Sequence, residues 1–157
     1  MCFSFSRKDK NLLEKLRKLA PMKENAQDYV YRQRLIVRDY ECDIEGVVNN
    51  ANYQHYLEYT RHKWLQSRGQ SFQQWHEKGI DAMVSEINIK YKSPLHGQEE
   101  FLSCLNLHRE GARFIFEQDI YRKQDLKLCV QATVTVVSVV NGRLSKGDEI
   151  AFLLKTH

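Results

Sequence analysis

The stretch YECDIEGVVNNANY, residues 40–53, joins a polar loop to the beginning of a predicted helix. Bulky side chains recur from Tyr53 onward at a spacing close to that of one buried helix face. They are Tyr53, Tyr56, Leu57, Thr60, Trp64 and Leu65. Asparagines precede this run at positions 49, 50 and 52, and asparagine caps helices because its side-chain oxygen accepts from an otherwise unpaired amide. We therefore predict a long helix that begins at these asparagines and ends near Gly69.

Asp43 lies a short loop ahead of this helix start. The first amides of a helix have no partner within it, and together with the helix dipole they favour negative charge at this end. Gly46, inside the loop, is predicted to adopt a backbone conformation that a side chain would hinder. A lone aspartate in such a place can simply cap the helix or fix a turn. A carboxylate beside an anion-stabilising helix end is also suited to catalysis, so Asp43 is the first catalytic candidate.

The composition is that of an ordinary globular chain. It has 157 residues, of which 42% are hydrophobic and 28% charged, and this suits one domain with its own core. The net charge of +4 is too small to indicate a nucleic-acid partner, although it agrees with a polyanionic ligand. No apolar run approaches the ~20 residues of an integral membrane span, and no signal-peptide core is visible. The four cysteines form no close pairs, so we predict no metal site, no disulfide framework and a cytoplasmic location.

Residues 1–29 are predicted to be an N-terminal extension ahead of a domain at residues 30–157. A narrow leucine stripe lies among lysines and arginines before Pro21, which is typical of an amphipathic helix. Such a segment can contact a membrane surface or a partner, pack on its own domain, or stay partly disordered. It carries no candidate site residue, so we expect residues 1–21 to be dispensable for catalysis.

Strand patterns follow the long helix. A short second helix is predicted at residues 71–78 with Ser71 as its cap, after which apolar and polar residues alternate. The predicted strands are residues 31–39 before the long helix and 83–93, 101–109, 114–122, 130–140 and 150–154 after it. Asn141-Gly142 is a strong hairpin signal between the last two. One long helix with a string of antiparallel strands indicates an α+β domain whose sheet wraps around the helix.

Seven residues of the loop and helix also carry a family resemblance. They are Asp43, Gly46, Val47, Asn52, Tyr53, Glu58 and Arg61. At this spacing the chain resembles the 4-hydroxybenzoyl-CoA thioesterase branch of the hotdog-fold acyl-CoA thioesterases. The resemblance implies a hotdog fold, hydrolysis of an acyl-CoA or acyl carrier protein thioester, and no cofactor beyond the coenzyme A of the substrate. It also implies a homodimer or homotetramer with its sites at the interface between sheets.

A thioester has a good thiolate leaving group, so its hydrolysis needs chiefly a carboxylate and donors for the oxyanion. Asp43 is predicted to activate a water molecule or to attack directly. Asn50 is the second catalytic candidate, because backbone amides around it and its side chain can donate to the oxyanion. The remaining candidates are predicted to contact substrate. They are Gly46, Val47, Asn49 and Ala51 in the loop and at the helix start, and Arg109 and Arg113 for the phosphates of coenzyme A.

Other residues of the same region compete for these roles. Glu58 is a rival acid, since other hotdog thioesterases use a helix carboxylate, but on the predicted solvent face it can equally pair with Arg61 or His62. Cys42 has no neighbour in the sequence that marks a reactive thiolate. His55 and His62 lie about 10 Å apart along one helix face, which is too far to share a metal ion. We therefore keep Asp43 as the principal candidate.

The function has alternatives as well. A non-catalytic hotdog domain that binds acyl-CoA or acyl carrier protein would have lost its activity. Asn50 would mark that loss, because many family members carry tyrosine or histidine at its position. A hotdog dehydratase would use a histidine as well as an acid, and no histidine lies in the Asp43 loop.

Overall fold

A computed structural model describes residues 29–155 of the chain, so the predicted extension lies outside the described residues apart from Tyr29. The described strands are β1 (Tyr31–Ile36), β2 (Ile80–Tyr91), β3 (Glu100–Glu110), β4 (Arg113–Arg122), β5 (Leu128–Val140) and β6 (Arg143–Leu144). The α-helices are α1 (Asn50–Ser67) and α2 (Phe72–Glu77), and 3-10 helices occupy Asp39–Glu41 and Asp148–Leu154. Among the described residues, no helix is both long and apolar enough to cross a membrane.

The strands form one antiparallel sheet in the order β1-β3-β4-β5-β2, and β6 pairs with the end of β5. Strands β3, β4 and β5 follow one another as hairpins, whereas β1 and β2 pair with the outer strands of that trio. Helix α1 packs on the inner face of the sheet. The predicted α+β architecture, with an antiparallel sheet around one long helix, is therefore confirmed, and it is the layout that the hotdog resemblance implies.

The buried face of α1 is the one that the spacing predicts. All six bulky residues, from Tyr53 to Leu65, are buried. The first half of the helix packs on a core cluster that includes Phe101 and Ile120. The second half packs on a separate cluster with Phe116 and Val134. Burying one leucine or phenylalanine side chain contributes about 1.5–3 kcal/mol, so this face is what holds the helix on the sheet.

The ends of the helices follow the local signals. Asn49 is the N-cap of α1, and its side chain accepts from the amide of Ala51 at 3.0 Å. Gly69, with φ +70°, follows the end of α1 in the left-handed region that favours glycine. Ser71 caps α2 by accepting from the amide of Gln74 at 3.1 Å. These three predictions are confirmed.

The predicted hairpin at Asn141-Gly142 is also confirmed. Both residues have positive φ, +49° and +77°, as a two-residue turn between β5 and β6 requires. The prediction of a last strand at residues 150–154 is wrong, because this segment forms a 3-10 helix. Ile150 and Leu153 are its buried residues, and a separation of three matches the three residues per turn of that helix rather than the alternation of a strand.

The prediction that Arg61 lies on the solvent face of α1, where Glu58 could pair with it, is also wrong. Arg61 is 6% exposed, and its Nη1 donates to Oε1 of Gln118 on β4 at 2.9 Å. The side-chain Nε2 of Gln118 in turn donates to the backbone carbonyl of Leu57 at 3.0 Å. Burial lowers the pKa of Arg61 to about 10. Arg61 is thus a polar core residue that joins the helix to the centre of the sheet.

Strands β1 and β2 are the two edges of the sheet in the described part of the chain. β2 begins at Ile80, three residues before the predicted start, and most of its length is exposed. Its apolar side chains are among those exposed: Met83 is 54%, Val84 46% and Ile87 38% accessible. An edge strand with accessible backbone and apolar side chains is a surface that pairs readily with another strand.

Candidate active site

The Asp43 loop is a tight turn with internal hydrogen bonds. The Asp43 amide donates to the Val47 carbonyl at 2.9 Å, and the Gly46 amide donates to the Asp43 carbonyl at 3.0 Å. Gly46 has φ +74°, which explains why the sequence needs glycine there and confirms the predicted conformation. Isolated bridges join Cys42 to Val48 and Val47 to His96. The loop is therefore a small hairpin fixed to the segment that precedes β3.

The two oxygens of the Asp43 carboxylate have different surroundings. Oδ1 accepts from the amides of Glu45 and Val47, at 3.1 and 3.4 Å. No group of the described residues donates to Oδ2. The side chain is partly exposed. The loop thus orients the carboxylate through one oxygen and leaves the other available to a water molecule or a substrate.

The amides at the start of α1 are not equally available. The Asn49 amide donates to the Glu41 carbonyl at 3.0 Å, and the Ala51 amide donates to the Asn49 side chain at 3.0 Å. No described residue accepts from the Asn50 amide. Of the three amides predicted as oxyanion donors, only the Asn50 N–H has no acceptor within residues 29–155. The amides of Asn49 and Ala51 thus have acceptors at the helix start, and the contacts predicted between these residues and a substrate stay predictions.

Tyr91, the last residue of β2, is a part of this site that the sequence does not indicate. Its hydroxyl donates to the Asn50 carbonyl at 3.3 Å, and its ring lies 5.5 Å from the ring of Tyr53. The Asn50 side chain is exposed and makes no hydrogen bond with a described residue. Because β2 is far from α1 in sequence, only the sheet topology brings Tyr91 to the helix start.

Asn52 and Tyr53 connect the first turn of α1 to the segments beside it. The Asn52 side chain donates to the Glu41 carbonyl at 2.7 Å. Tyr53 is buried, and its hydroxyl accepts from the Leu95 amide at 3.1 Å. Burial raises the pKa of Tyr53, so its hydroxyl stays protonated. Both residues hold the loop and helix together rather than offering a group to a substrate.

Arg109 and Arg113 lie at the other end of the sheet. They flank the β3–β4 turn, whereas the Asp43 loop lies beside the beginning of β3, so about 30 Å of strand separates them within one chain. Arg109 donates to the carboxylate of Asp148 at 2.8 Å and to the Lys146 carbonyl at 2.7 Å. The structure therefore does not bring these two arginines to Asp43 within one chain.

The competing residues are less well placed than Asp43. Glu58 is exposed, and one of its oxygens lies 3.9 Å from Nε2 of His62. By helix rise it lies about 12 Å beyond Asn50. Partial burial and the nearby carboxylates raise the pKa of the Cys42 thiol, which disfavours the thiolate. No cluster of three or more metal-binding side chains occurs within residues 29–155.

Comparison with known proteins relates the whole domain to one family. A family model described as the thioesterase-like superfamily matches residues 37–151. A protein of Aquifex aeolicus that is an esterase by name is 31% identical over 119 residues, which are 71% of this chain and 91% of that protein. The chloroplast acyl-acyl carrier protein thioesterase ATL3 of Arabidopsis thaliana is 36% identical over 89 residues. That match covers 56% of this chain and 47% of the plant protein, about half of its length.

Solved structures share the fold. A 1,4-dihydroxy-2-naphthoyl-CoA thioesterase from Synechocystis superposes with a TM-score of 0.74 at 18% identity, covering 79% of this chain and 94% of that one. A second structure, of an Aquifex aeolicus protein, has a TM-score of 0.74 at 26% identity and covers 80% of this chain and 99% of that one. At 18% identity the first likeness concerns the fold alone.

Proposed function

We propose that this chain, which belongs to the thioesterase-like superfamily, hydrolyses an acyl-CoA thioester to a free acid and coenzyme A. The observation that carries the proposal is that two polar groups near one helix start have no hydrogen-bond partner among the described residues. One is Oδ2 of Asp43, which has no donor among the described residues, and the other is the Asn50 N–H, which has no acceptor among them. A base or nucleophile and an oxyanion donor are what thioester hydrolysis requires.

In the proposed mechanism, the thioester carbonyl oxygen lies against the Asn50 N–H at the positive end of α1. Asp43 takes a proton from a water molecule as that water attacks the carbonyl carbon. The C–S bond then breaks, the thiolate leaves, and the proton held by Asp43 is returned to it or to solvent. Direct attack by Asp43 is the other route, in which water hydrolyses the resulting anhydride. Neither route uses a cofactor other than the coenzyme A of the substrate.

The carrier of the acyl group defines two forms of the substrate. Coenzyme A and acyl carrier protein present the same thioester, so the same two groups would act on either. The name of the Arabidopsis relative, an acyl-acyl carrier protein thioesterase, supports testing the protein-bound form as well. The phosphates of coenzyme A would have to be met by cations nearer to Asp43 than Arg109 and Arg113, unless a partner subunit provides these arginines.

We also propose that the protein is a homodimer or a homotetramer. The support is the exposed edge of β2, with Val84 and Ile87 accessible on it. Tyr91 at the end of the same strand contacts the Asn50 carbonyl. Pairing of two β2 edges would therefore bring the partner subunit beside the candidate site, in line with a composite site.

A panel of acyl-CoAs tests the proposal by release of free thiol. Short, long and aromatic acyl groups should be compared at equal concentration, together with an acyl carrier protein thioester. We expect at least one class of thioester to be hydrolysed, with a rate of thiol release that is proportional to the protein concentration. Binding of acyl-CoA without thiol release from any member would instead favour the non-catalytic acyl-binding domain.

A further inference from the structure

Glu41 is a buried carboxylate two residues before Asp43, and no part of the proposed mechanism uses it. It is 8% exposed, in the 3-10 helix that follows β1. Its Oε2 accepts from the Tyr56 hydroxyl at 2.7 Å and from the Arg38 amide at 2.8 Å. A buried carboxylate is stable only when such donors replace its lost hydration. The Arg38 guanidinium also lies 3.5 Å from Oε1. Arg38 is the N-cap of the 3-10 helix and Tyr56 belongs to α1, so the side chain joins the start of that short helix to α1.

The carbonyl of the same residue makes a second connection to α1. It accepts from the Asn49 amide at 3.0 Å and from the Asn52 side chain at 2.7 Å. Together with Tyr56, these donors lie on the cap and the first two turns of the helix. Residue 41 is thus bonded to three points of α1 through its carbonyl and its carboxylate.

These bonds close the base of the Asp43 loop. Within the loop, the Asp43 amide donates to the Val47 carbonyl, so the loop is a closed hairpin. Its two ends are Glu41 and Asn49, and the amide of Asn49 donates directly to the Glu41 carbonyl. Burial, followed by the hydrogen bond to Glu41, raises the pKa of Tyr56, so its hydroxyl remains a donor. The position of Asp43 relative to the Asn50 N–H therefore depends on the contacts of Glu41.

We propose that Glu41 is a positioning residue, whose buried carboxylate holds the Asp43 loop against helix α1 and so aligns Asp43 with the Asn50 N–H. The inference rests on the proposed function, in which these two groups act on the thioester. Alignment of reacting groups is sensitive to small displacements, since a shift of about 1 Å can lower a rate about a hundredfold. Glu41 acts through Asp43 and is not expected to contact the substrate.

Glu41→Met tests the role, because methionine has a similar length but accepts no strong hydrogen bond. We expect kcat to fall about tenfold to a hundredfold, with KM within about threefold of wild type. Glu41→Gln keeps an oxygen that can accept from Tyr56, so it should restore most of kcat. Glu117→Met is the matched control: it makes the same change at an exposed side chain of β4, outside the Asp43 loop. It should stay within about twofold of wild type.

Thr60→Val separates positioning from a general loss of stability. Thr60 lies one turn after Tyr56; its hydroxyl donates to the Tyr56 carbonyl at 2.7 Å and lies 2.7 Å from the Ser103 hydroxyl. The variant therefore loses buried hydrogen bonds, while the Tyr56 hydroxyl and the Asp43 loop keep their own. It should lower the melting temperature as Glu41→Met does and leave kcat within about twofold of wild type. Tyr56→Phe should lower kcat as well, and combining it with Glu41→Met should add little, because both remove one interaction. Equal losses in Glu41→Met and Thr60→Val, or additive losses with Tyr56→Phe, would overturn the proposal.

Hydrogen exchange gives a measurement that needs no substrate. The Asn49 and Val47 amides are hydrogen bonded at the base and inside of the loop. Glu41→Met should speed the exchange of these two amides, whereas Thr60→Val should not. If Glu41→Met does not fold, Tyr56→Phe is measured in its place. If the wild-type protein hydrolyses no thioester but Glu41→Met still speeds exchange, the proposed function is refuted and the positioning role is kept. Unchanged exchange would refute the positioning role whatever the activity.

Discussion

Asp43 differs from an ordinary loop aspartate in the unequal surroundings of its two oxygens. The amides of Glu45 and Val47 fix Oδ1, which is how a structural aspartate stabilises a turn. Oδ2, by contrast, accepts from no donor among residues 29–155. Because Oδ2 has no described donor and lies in the loop that ends at a helix start, the carboxylate can both hold its loop and act on a bound thioester.

We expect Asp43→Asn to lower turnover at least about a hundredfold, because an amide neither accepts a proton from water nor attacks as an anion. Asparagine keeps the size of aspartate and an oxygen for the two loop amides, so circular dichroism and the melting temperature should change little. Thiol release under saturating substrate measures the loss, with Glu45→Gln as a control for removing a nearby charge. Full activity in a folded Asp43→Asn protein would move the assignment to Glu58.

A single turnover in oxygen-labelled water then distinguishes the two routes in the wild-type protein. Label incorporated into Asp43 would indicate an anhydride formed by direct attack, because water can then cleave it at the aspartyl carbon. Label found only in the released acid excludes cleavage at the aspartyl carbon and is the result expected when Asp43 activates water. Mass spectrometry of the peptide that contains residue 43 and of the product acid measures both.

Arg61 shows how a family motif residue can serve the core instead of the site. By helix rise it lies about 16 Å beyond Asn50, and its guanidinium donates to Gln118. Burial lowers the pKa of this guanidinium from the ordinary value of arginine to about 10. Between these two pH values the unfolded chain binds more protons than the folded one, so this residue's contribution to stability rises with pH there. At pH 7 the guanidinium is charged in both states, and its burial is unfavourable.

We therefore expect the pair Arg61→Met with Gln118→Leu to leave the free energy of unfolding unchanged or to raise it by about 1–4 kcal/mol. Arg61→Ala alone should lower it by about 3 kcal/mol, because it leaves a cavity and an unpaired Gln118. Urea unfolding at pH 7 measures both. Thiol release should be within a few-fold of wild type in the double variant. A double variant that is strongly destabilised would show that the bonds of Arg61 outweigh its desolvation.

At the scale of elements, the sequence predicts best the features that are set by neighbouring residues. Asn49 and Ser71 cap their helices, and Asn141-Gly142 turns between β5 and β6, because caps and turns depend on local hydrogen bonds and φ. Residues 150–154 do not form the predicted strand. The pattern of apolar residues there fits more than one element, and the packing of Ile150 against the core selects a 3-10 helix.

The candidate site divides in the same way. Asp43 and Gly46 are predictable, since a helix start and a turn identify them locally. Glu41 and Tyr91 are not, because the first depends on burial under α1 and the second on the pairing of β2 with β5. Sequence alone also cannot tell which helix N-terminal amides are already occupied. In the structure, the Asn49 amide donates to the Glu41 carbonyl, whereas the Asn50 amide has no acceptor among the described residues.

The cap of α1 connects element stability to the site. Asn49→Ala should lower the free energy of unfolding by about 1 kcal/mol, because the Ala51 amide loses its acceptor. It should also lower kcat about threefold or more, since the first turn carries the Asn50 N–H. Ser71→Ala removes the equivalent cap from α2, away from the Asp43 loop. It should destabilise to a similar degree without changing kcat, as thermal unfolding and thiol release can show. Equal kcat in the two variants would place the α1 cap outside catalysis.

At the scale of the whole molecule, the topology determines where a partner can add. The sheet has two edges in its described part, β1 and β2, and they differ in what surrounds them. β1 is short and leads directly into the segment that contains the Asp43 loop. β2 is twice as long and exposes the side chains of Val84 and Ile87. Tyr91 ties the end of β2 to the helix start. The longer edge is thus both the better pairing surface and the nearer one to the site.

Ile87→Lys should therefore dissociate the proposed oligomer, because a buried, unpaired lysine ammonium at a paired edge is strongly unfavourable. Ile36→Lys on β1 is the matched control, since Ile36 is likewise exposed, at 50%, on the other edge strand. Light scattering at micromolar protein should show a dimer or tetramer for wild type and Ile36→Lys, and a monomer for Ile87→Lys with unchanged circular dichroism. If the site is shared across the interface, the monomeric variant should also lose most of its thiol release. A wild-type monomer, or a fully active Ile87→Lys monomer, would show instead that one chain carries the complete site.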